Sequence, residues 1–77
     1  MELVEMRRMI AEHQVREGIL KPDSAGNGWL IALEDMDGVQ YPLTRPGGQE
    51  KIYHSLDIAT GVLNNMGIHR ISVVERF

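Results

Sequence analysis

The chain has 77 residues, of which 43% are hydrophobic and 25% are charged, with a formal net charge of −3. This length predicts one domain over residues 1–77, and the ordinary composition argues against a disordered chain. The sequence has no cysteine, which excludes disulfides and thiolate metal sites, and its acidic balance is not typical of nucleic-acid-binding proteins.

Residues 1–14 form the first predicted element, an N-terminal helix. Leu3, Met6 and Ile10 recur at spacings of three and four and give the helix one apolar face. Val4 and Ala11 lie on a second face, so we expect a helix that frays or faces a second subunit. Charges interrupt the segment before any long apolar run, which argues against a signal peptide and a spanning helix. We therefore expect a cytoplasmic protein without a membrane partner.

Four short strands are predicted next, at the start of a sheet-and-helix core over residues 16–77. The first covers residues 16–21, and the apolar alternation of "WLIALED" predicts the second. Asp37-Gly38 predicts a hairpin into "VQYPLT", where Pro42 cannot donate to a ladder and so indicates a sheet edge. After the turn "RPGGQE", "KIYHS" predicts a fourth strand.

The C-terminal segment predicts a helix over residues 56–66 and a last strand in "RISVVERF". Ser55 is a good N-cap, and Gly67 stands where a left-handed residue ends helices. Gly61 inside the helix predicts a close approach by another backbone. The whole pattern predicts an α+β fold: an N-terminal helix, an antiparallel sheet of four to five short strands, and one helix packed on one sheet face before the last strand.

No reactive motif is present in the sequence. The histidines at 13, 54 and 69 lack metal-ligand spacings, although His54 and His69 flank the last helix and could approach one another. The acids of "EDMDG" lack the distal Glu of a calcium loop, so a solvated hairpin tip is the better interpretation. No hydroxyl lies beside a general base in the sequence, and Glu34 and Glu75 are expected to face water. We therefore expect no enzyme, no metal and no cofactor.

Two binding hypotheses remain open. The glycine pair in "RPGGQEK" could form an anion nest, although a plain turn is the simpler interpretation. If the fourth and fifth strands are neighbours, basic side chains and one aromatic ring form a strip suited to single-stranded nucleic acid. The candidate nucleic-acid or anion contacts are Arg45, Lys51, Tyr53, His54, His69 and Arg70.

The stretch "GWLIALEDMDGVQYPLTRPGGQEKIYHSLDIATGVLNNMGIHRISV" resembles small bacterial proteins of unknown function, some of them carried on plasmids or other mobile elements. The resemblance covers about residues 16–75 and implies the fold and a single domain. More loosely, the Gly-Trp strand, the Asp-Gly hairpin and the step into a helix resemble recombinase arm-type DNA-binding domains, which have a three-stranded sheet and a helix. Those sheets are rich in Lys and Arg, whereas "WLIALED" and "VQYPLT" contain neither residue, which argues against DNA binding through this sheet.

These observations favour a small non-enzymatic binding or interaction module. The small size, the edge strand and the two-sided apolar helix predict that it associates with itself as a homodimer, with a further protein partner that the sequence does not identify. The alternative is an accessory nucleic-acid-binding protein of a plasmid or mobile element.

Overall fold

Seven helices and strands follow one another along residues 1–74, the part of the chain that the computed structural model describes. They are α1 (Leu3–Ala11), β1 (Val15–Pro22), β2 (Trp29–Asp35), β3 (Gln40–Pro42), β4 (Ile52–Tyr53), α2 (Leu56–Asn65) and β5 (Ile71–Val73). The predicted α+β fold is confirmed. The predicted last strand runs on to residue 77, and its final three residues lie outside the described part.

The helix α1 packs on the chain's own core. It begins where the Glu2 backbone N–H donates to the Glu5 carboxylate at 2.9 Å, which satisfies an end group that the helix itself leaves unpaired. Met6 is fully buried and Met9 is 7% exposed. His13, at a φ of 58°, turns the chain towards β1. The first apolar face is therefore turned towards the core, whereas Val4 and Ala11 of the second face remain exposed.

The sheet is mixed, with the strand order β3-β2-β1-β5. β1 and β2 are antiparallel, whereas β5 runs parallel to β1, with Gly18 opposite Ile71 and Leu20 opposite Val73. This parallel pair differs from the predicted antiparallel sheet, and the connectivity explains it. β4 is antiparallel to β2 and so runs in the same direction as β1. The helix between β4 and β5 carries the chain back along the sheet, so β5 also runs in the direction of β1.

The strands β3 and β4 share one edge of β2 and do not form a hairpin with each other. β3 pairs with residues 32–34 of β2, and β4 pairs with residues 29–30. The segment between them loops out and is closed by a single bridge between Thr44 and Glu50. Pro42 therefore lies in an outermost strand, as its missing N–H predicts.

The helix α2 carries the chain from β4, at one edge of the sheet, to β5 at the other. The Ser55 hydroxyl accepts the backbone N–H of Ile58 at 3.3 Å, as expected for an N-cap. At the other end Gly67 has a φ of 96°, and the Ile68 N–H donates to the Leu63 carbonyl at 2.9 Å. This is the left-handed stop that the sequence predicts.

Both helices cover the same face of the sheet. On that face Leu20, Ile31 and Leu33 are fully buried. In the β1–β2 ladder Leu20 lies opposite Ile31, and Leu33 lies opposite Gly18. They form one apolar cluster with residues of both helices and of the connecting segments, namely Met6, Leu43, Ala59, Leu63 and Ile68. We call the opposite face the open face, because no helix within residues 1–74 lies over it.

Glycines mark two close approaches, although Gly61 is not one of them. A Cβ at Gly61 would meet no described atom within 4 Å, so the predicted approach of another backbone to this helix is wrong. A Cβ at Gly18 would lie 2.9 Å from a methyl group of Leu63, and one at Gly28 would overlap the backbone carbonyl of Tyr53. The close backbone contact is therefore between β4 and the start of β2.

Candidate functional site

Three of the predicted site residues lie in one cleft of about 420 Å³, between the start of α1 and the segment that joins β3 to β4. We call it the Tyr53 cleft. Its lining combines apolar side chains with two cations, one carboxylate and one phenol ring: Glu2, Leu3, Val4, Leu43, Thr44, Arg45, Pro46, Lys51 and Tyr53.

The aromatic part of this cleft is held by β4. Tyr53 pairs with Trp29 across the β2–β4 ladder, and partial burial raises the pKa of its phenol above the ordinary value. The Lys51 ammonium lies 5.5 Å from the centre of the Tyr53 ring, within the range of a cation–π contact. The pair presents a positive charge beside a flat ring.

Arg45 stands at the start of the loop that frames the cleft. Its N–H donates to the Gln49 carbonyl at 2.7 Å, and its carbonyl accepts the Gly48 N–H at 2.9 Å. Gly47 and Gly48 both have positive φ, which only glycine adopts freely. Because one of the two glycine amides is used inside the loop, the geometry is that of a plain turn.

The remaining candidates lie elsewhere. His54 has its Nδ1 3.0 Å from the Asn27 carbonyl, and since a carbonyl only accepts, that nitrogen carries the proton. His69 and Arg70 precede β5 at the opposite edge of the sheet, about 14 Å from β4 at three strand spacings. The two histidines also stand at opposite ends of α2. The six residues therefore form two groups, and the single strip that required neighbouring strands does not form.

A second cleft, of about 570 Å³, lies at the other end of α1. The sequence did not point to the hydrogen-bonded pair that lines part of it, Asp35 and Tyr41. The Asp35 carboxylate accepts the backbone N–H groups of Val39 and Asp37, both at 2.9 Å, and the Tyr41 hydroxyl at 3.1 Å. These bonds, the one from Val39 foremost, hold the pKa of Asp35 below its usual value despite some desolvation. The spacing Asp-x-Asp-Gly-Val-x-Tyr was the available signal, because Asp commonly accepts N–H groups of the turn that follows it.

Three hydroxyl groups of the described residues form hydrogen bonds within the chain. The hydroxyl of Ser55 caps α2, that of Thr60 donates to the Leu56 carbonyl at 2.8 Å, and that of Ser72 donates to Glu17 at 2.7 Å. Among residues 1–74 no polar or charged residue is fully buried, and no three His, Asp or Glu side chains stand close enough to hold a metal ion. These hydroxyls act as structural hydrogen-bonding groups.

The open face of the sheet combines apolar and charged residues. Ile19 and Ala32 lie opposite each other at its centre, each 3% exposed, and Ile52 lies towards one side, 39% exposed. Around them, Glu34 pairs with Arg16 at 3.8 Å, and Glu17 accepts the Ser72 hydroxyl. Because Ile19 and Ala32 are already covered by side chains of the same chain, this face presents mainly polar side chains and the partly exposed Ile52 to its surroundings.

The strand β5 forms one outer edge of the sheet. The Gly18 N–H donates to the Arg70 carbonyl at 2.9 Å, and the Val74 N–H donates to the Leu20 carbonyl at 2.8 Å. Because residues of a strand turn their backbone groups alternately to either side, those of Ile71 and Val73 point away from β1. Val73 is also 45% exposed.

No helix within the described residues is long and apolar enough to cross a membrane. Comparison of the chain with protein-family models, with curated proteins and with solved structures gives no match.

Proposed function

We propose that this chain is a small non-enzymatic interaction module that associates with a second copy of itself. The observation that supports the proposal is the placement of both helices on one face of the sheet. This arrangement leaves the open face and the outer edge of β5 without a covering element among residues 1–74.

The size of the chain supports the same conclusion. A domain of this length buries only about 60% of the surface that its unfolded chain exposes, so its stability should be modest and contacts with a second subunit would add to it. Val73, which is 45% exposed at the β5 edge, is an apolar residue that a subunit contact at this edge would cover. Self-association needs no reactive group, which agrees with the structural use of the hydroxyls.

The test is the mass of the chain in solution. Light scattering after size-exclusion chromatography, at loading concentrations from about 10 μM to 500 μM, should show a mass that rises from 8.7 kDa towards twice that value. A mass of one chain at every concentration would contradict the proposal.

A second candidate function, binding of single-stranded nucleic acid, is favoured by one observation, the Lys51 ammonium beside the Tyr53 ring. A cation and a stacking ring are typical of such sites. Anisotropy of a labelled oligonucleotide at low salt should then show weaker binding for Lys51→Ala and Arg45→Ala. Arg70→Ala is the matched control, because Arg70 lies near the opposite edge. No binding by the unmodified chain at low salt would rule this function out.

A further inference from the structure

The two edges of the sheet differ in how well they can accept another strand. At the β3–β4 edge, two strands of three and two residues are separated by a looped segment, and Pro42 offers no N–H. Breaks and prolines of this kind protect an edge from further pairing. The β5 edge has the sequence Ile71-Ser72-Val73, with neither a proline nor a charge, so it lacks these protections.

We infer that the β5 strands of two copies pair antiparallel about a two-fold axis at Ser72 and join the two sheets into one. This inference rests on the proposed self-association and names the surface that carries it. The outward N–H and C=O groups of Ile71 in each copy would form two hydrogen bonds with those of Val73 in the other copy. The two such pairs make four backbone hydrogen bonds. The occupant of the edge is a second copy because the strand matches itself when it is reversed.

Charge favours this orientation over the alternative. In the antiparallel pair centred on Ser72, Arg70 of each copy lies opposite Val74 of the other. A parallel pair would place the two Arg70 side chains next to each other, and like charges in that position are destabilising. Glu17 of each copy lies on β1, one strand further in, so the two Glu17 carboxylates stay about three strand spacings, or roughly 14 Å, apart.

The expected affinity is modest. A stable interface buries about 800 Å² on each partner, which is about one sixth of the 5092 Å² surface of this chain. A pair of three-residue strands covers less than that, so we expect a dissociation constant in the micromolar range or weaker, roughly 10 μM to 100 μM. The dimer should therefore form and dissociate with protein concentration.

A single cysteine can test the pairing, because the chain has none of its own. Across the two-fold axis the two residues at position 72 form a non-hydrogen-bonded pair with Cα atoms about 4.5 Å apart, within the range that a disulfide spans. Ser72→Cys should form a disulfide-linked dimer in mild oxidant. Gln40→Cys, exposed in the edge strand β3 on the other side, is the matched control and should cross-link at least about tenfold more slowly.

Circular dichroism of both variants checks that each is folded. Fast cross-linking of Ser72→Cys together with slow cross-linking of Gln40→Cys supports the pairing. If the two variants cross-link equally slowly while the unmodified chain still doubles its mass, the β5 pairing is overturned and the proposed self-association stands. Faster cross-linking of Gln40→Cys overturns the pairing in favour of the opposite edge. A chain that is monomeric throughout overturns both.

Discussion

Gly28 lies where β4 comes closest to the start of β2, and a Cβ there would overlap the Tyr53 carbonyl. Since a backbone carbonyl cannot rotate away as a side chain can, Gly28→Ala should lower the free energy of unfolding by about 1–3 kcal/mol. Gly61→Ala is the control, with open space at its Cβ position, and should raise it by about 0.5–1 kcal/mol. Urea unfolding of both variants measures the difference, and equal stabilities would contradict the close approach.

Asp35 gives the hairpin a dependence on pH. Its pKa is lowered in the fold, chiefly by the Val39 N–H and also by the Tyr41 hydroxyl. A lowered folded pKa means that the stabilisation is fully present above the unfolded pKa of about 3.9 and is lost as pH falls through the folded value. Asp35→Asn should therefore be less stable than the unmodified chain near neutral pH, and the gap should close on acidification. Urea unfolding from pH 7 to pH 2 measures it, and a constant gap would contradict the assignment.

At the level of single residues, the sequence predicted the role of residues whose conformation follows from their immediate neighbours in the chain. Gly38, at a φ of 86°, closes the hairpin that Asp37-Gly38 indicates. Gly28 could not be interpreted in this way, because its need for glycine comes from Tyr53, which is distant in the sequence. Tyr41 likewise meets Asp35 only once the two strands are paired.

At the scale of elements, α2 is the part of the chain whose ends are set most clearly. Ser55→Ala removes the hydroxyl that accepts the Ile58 N–H and should lower the free energy of unfolding by about 1 kcal/mol. Ser24→Ala, in an exposed turn, is the control and should stay within about 0.5 kcal/mol of the unmodified chain. Thermal or urea unfolding distinguishes them, and a neutral Ser55→Ala would show that α2 does not depend on this cap.

Elements with their own caps could be predicted from the sequence nearly to their bounds, as α2 was. The short strands could not. The fourth strand is predicted over residues 51–55 and pairs only at Ile52–Tyr53, because the loop before it and the cap of α2 after it take the flanking residues. The length of a strand depends on the strand that it pairs with, and the local sequence pattern does not identify that partner strand.

At the scale of the whole molecule, the order of the strands decided which candidate residues meet. Arg45, Lys51 and Tyr53 share a cleft because they flank or belong to β4. His69 and Arg70 are carried to the far edge because α2 crosses the sheet and places β5 beside β1. Periodicity predicts the elements but not which strands become neighbours, so the basic strip could be evaluated only in the folded chain.

The most direct test of self-association through β5 is sedimentation equilibrium of Val73→Pro beside Val73→Thr. Proline at this position removes an N–H that points away from β1 and so leaves the β1–β5 ladder intact, while threonine keeps that N–H. We expect Val73→Thr to reach twice the chain mass at the concentrations where the unmodified chain does, and Val73→Pro to remain at 8.7 kDa with an unchanged circular dichroism spectrum. A folded Val73→Pro that dimerises as well as Val73→Thr would contradict the account.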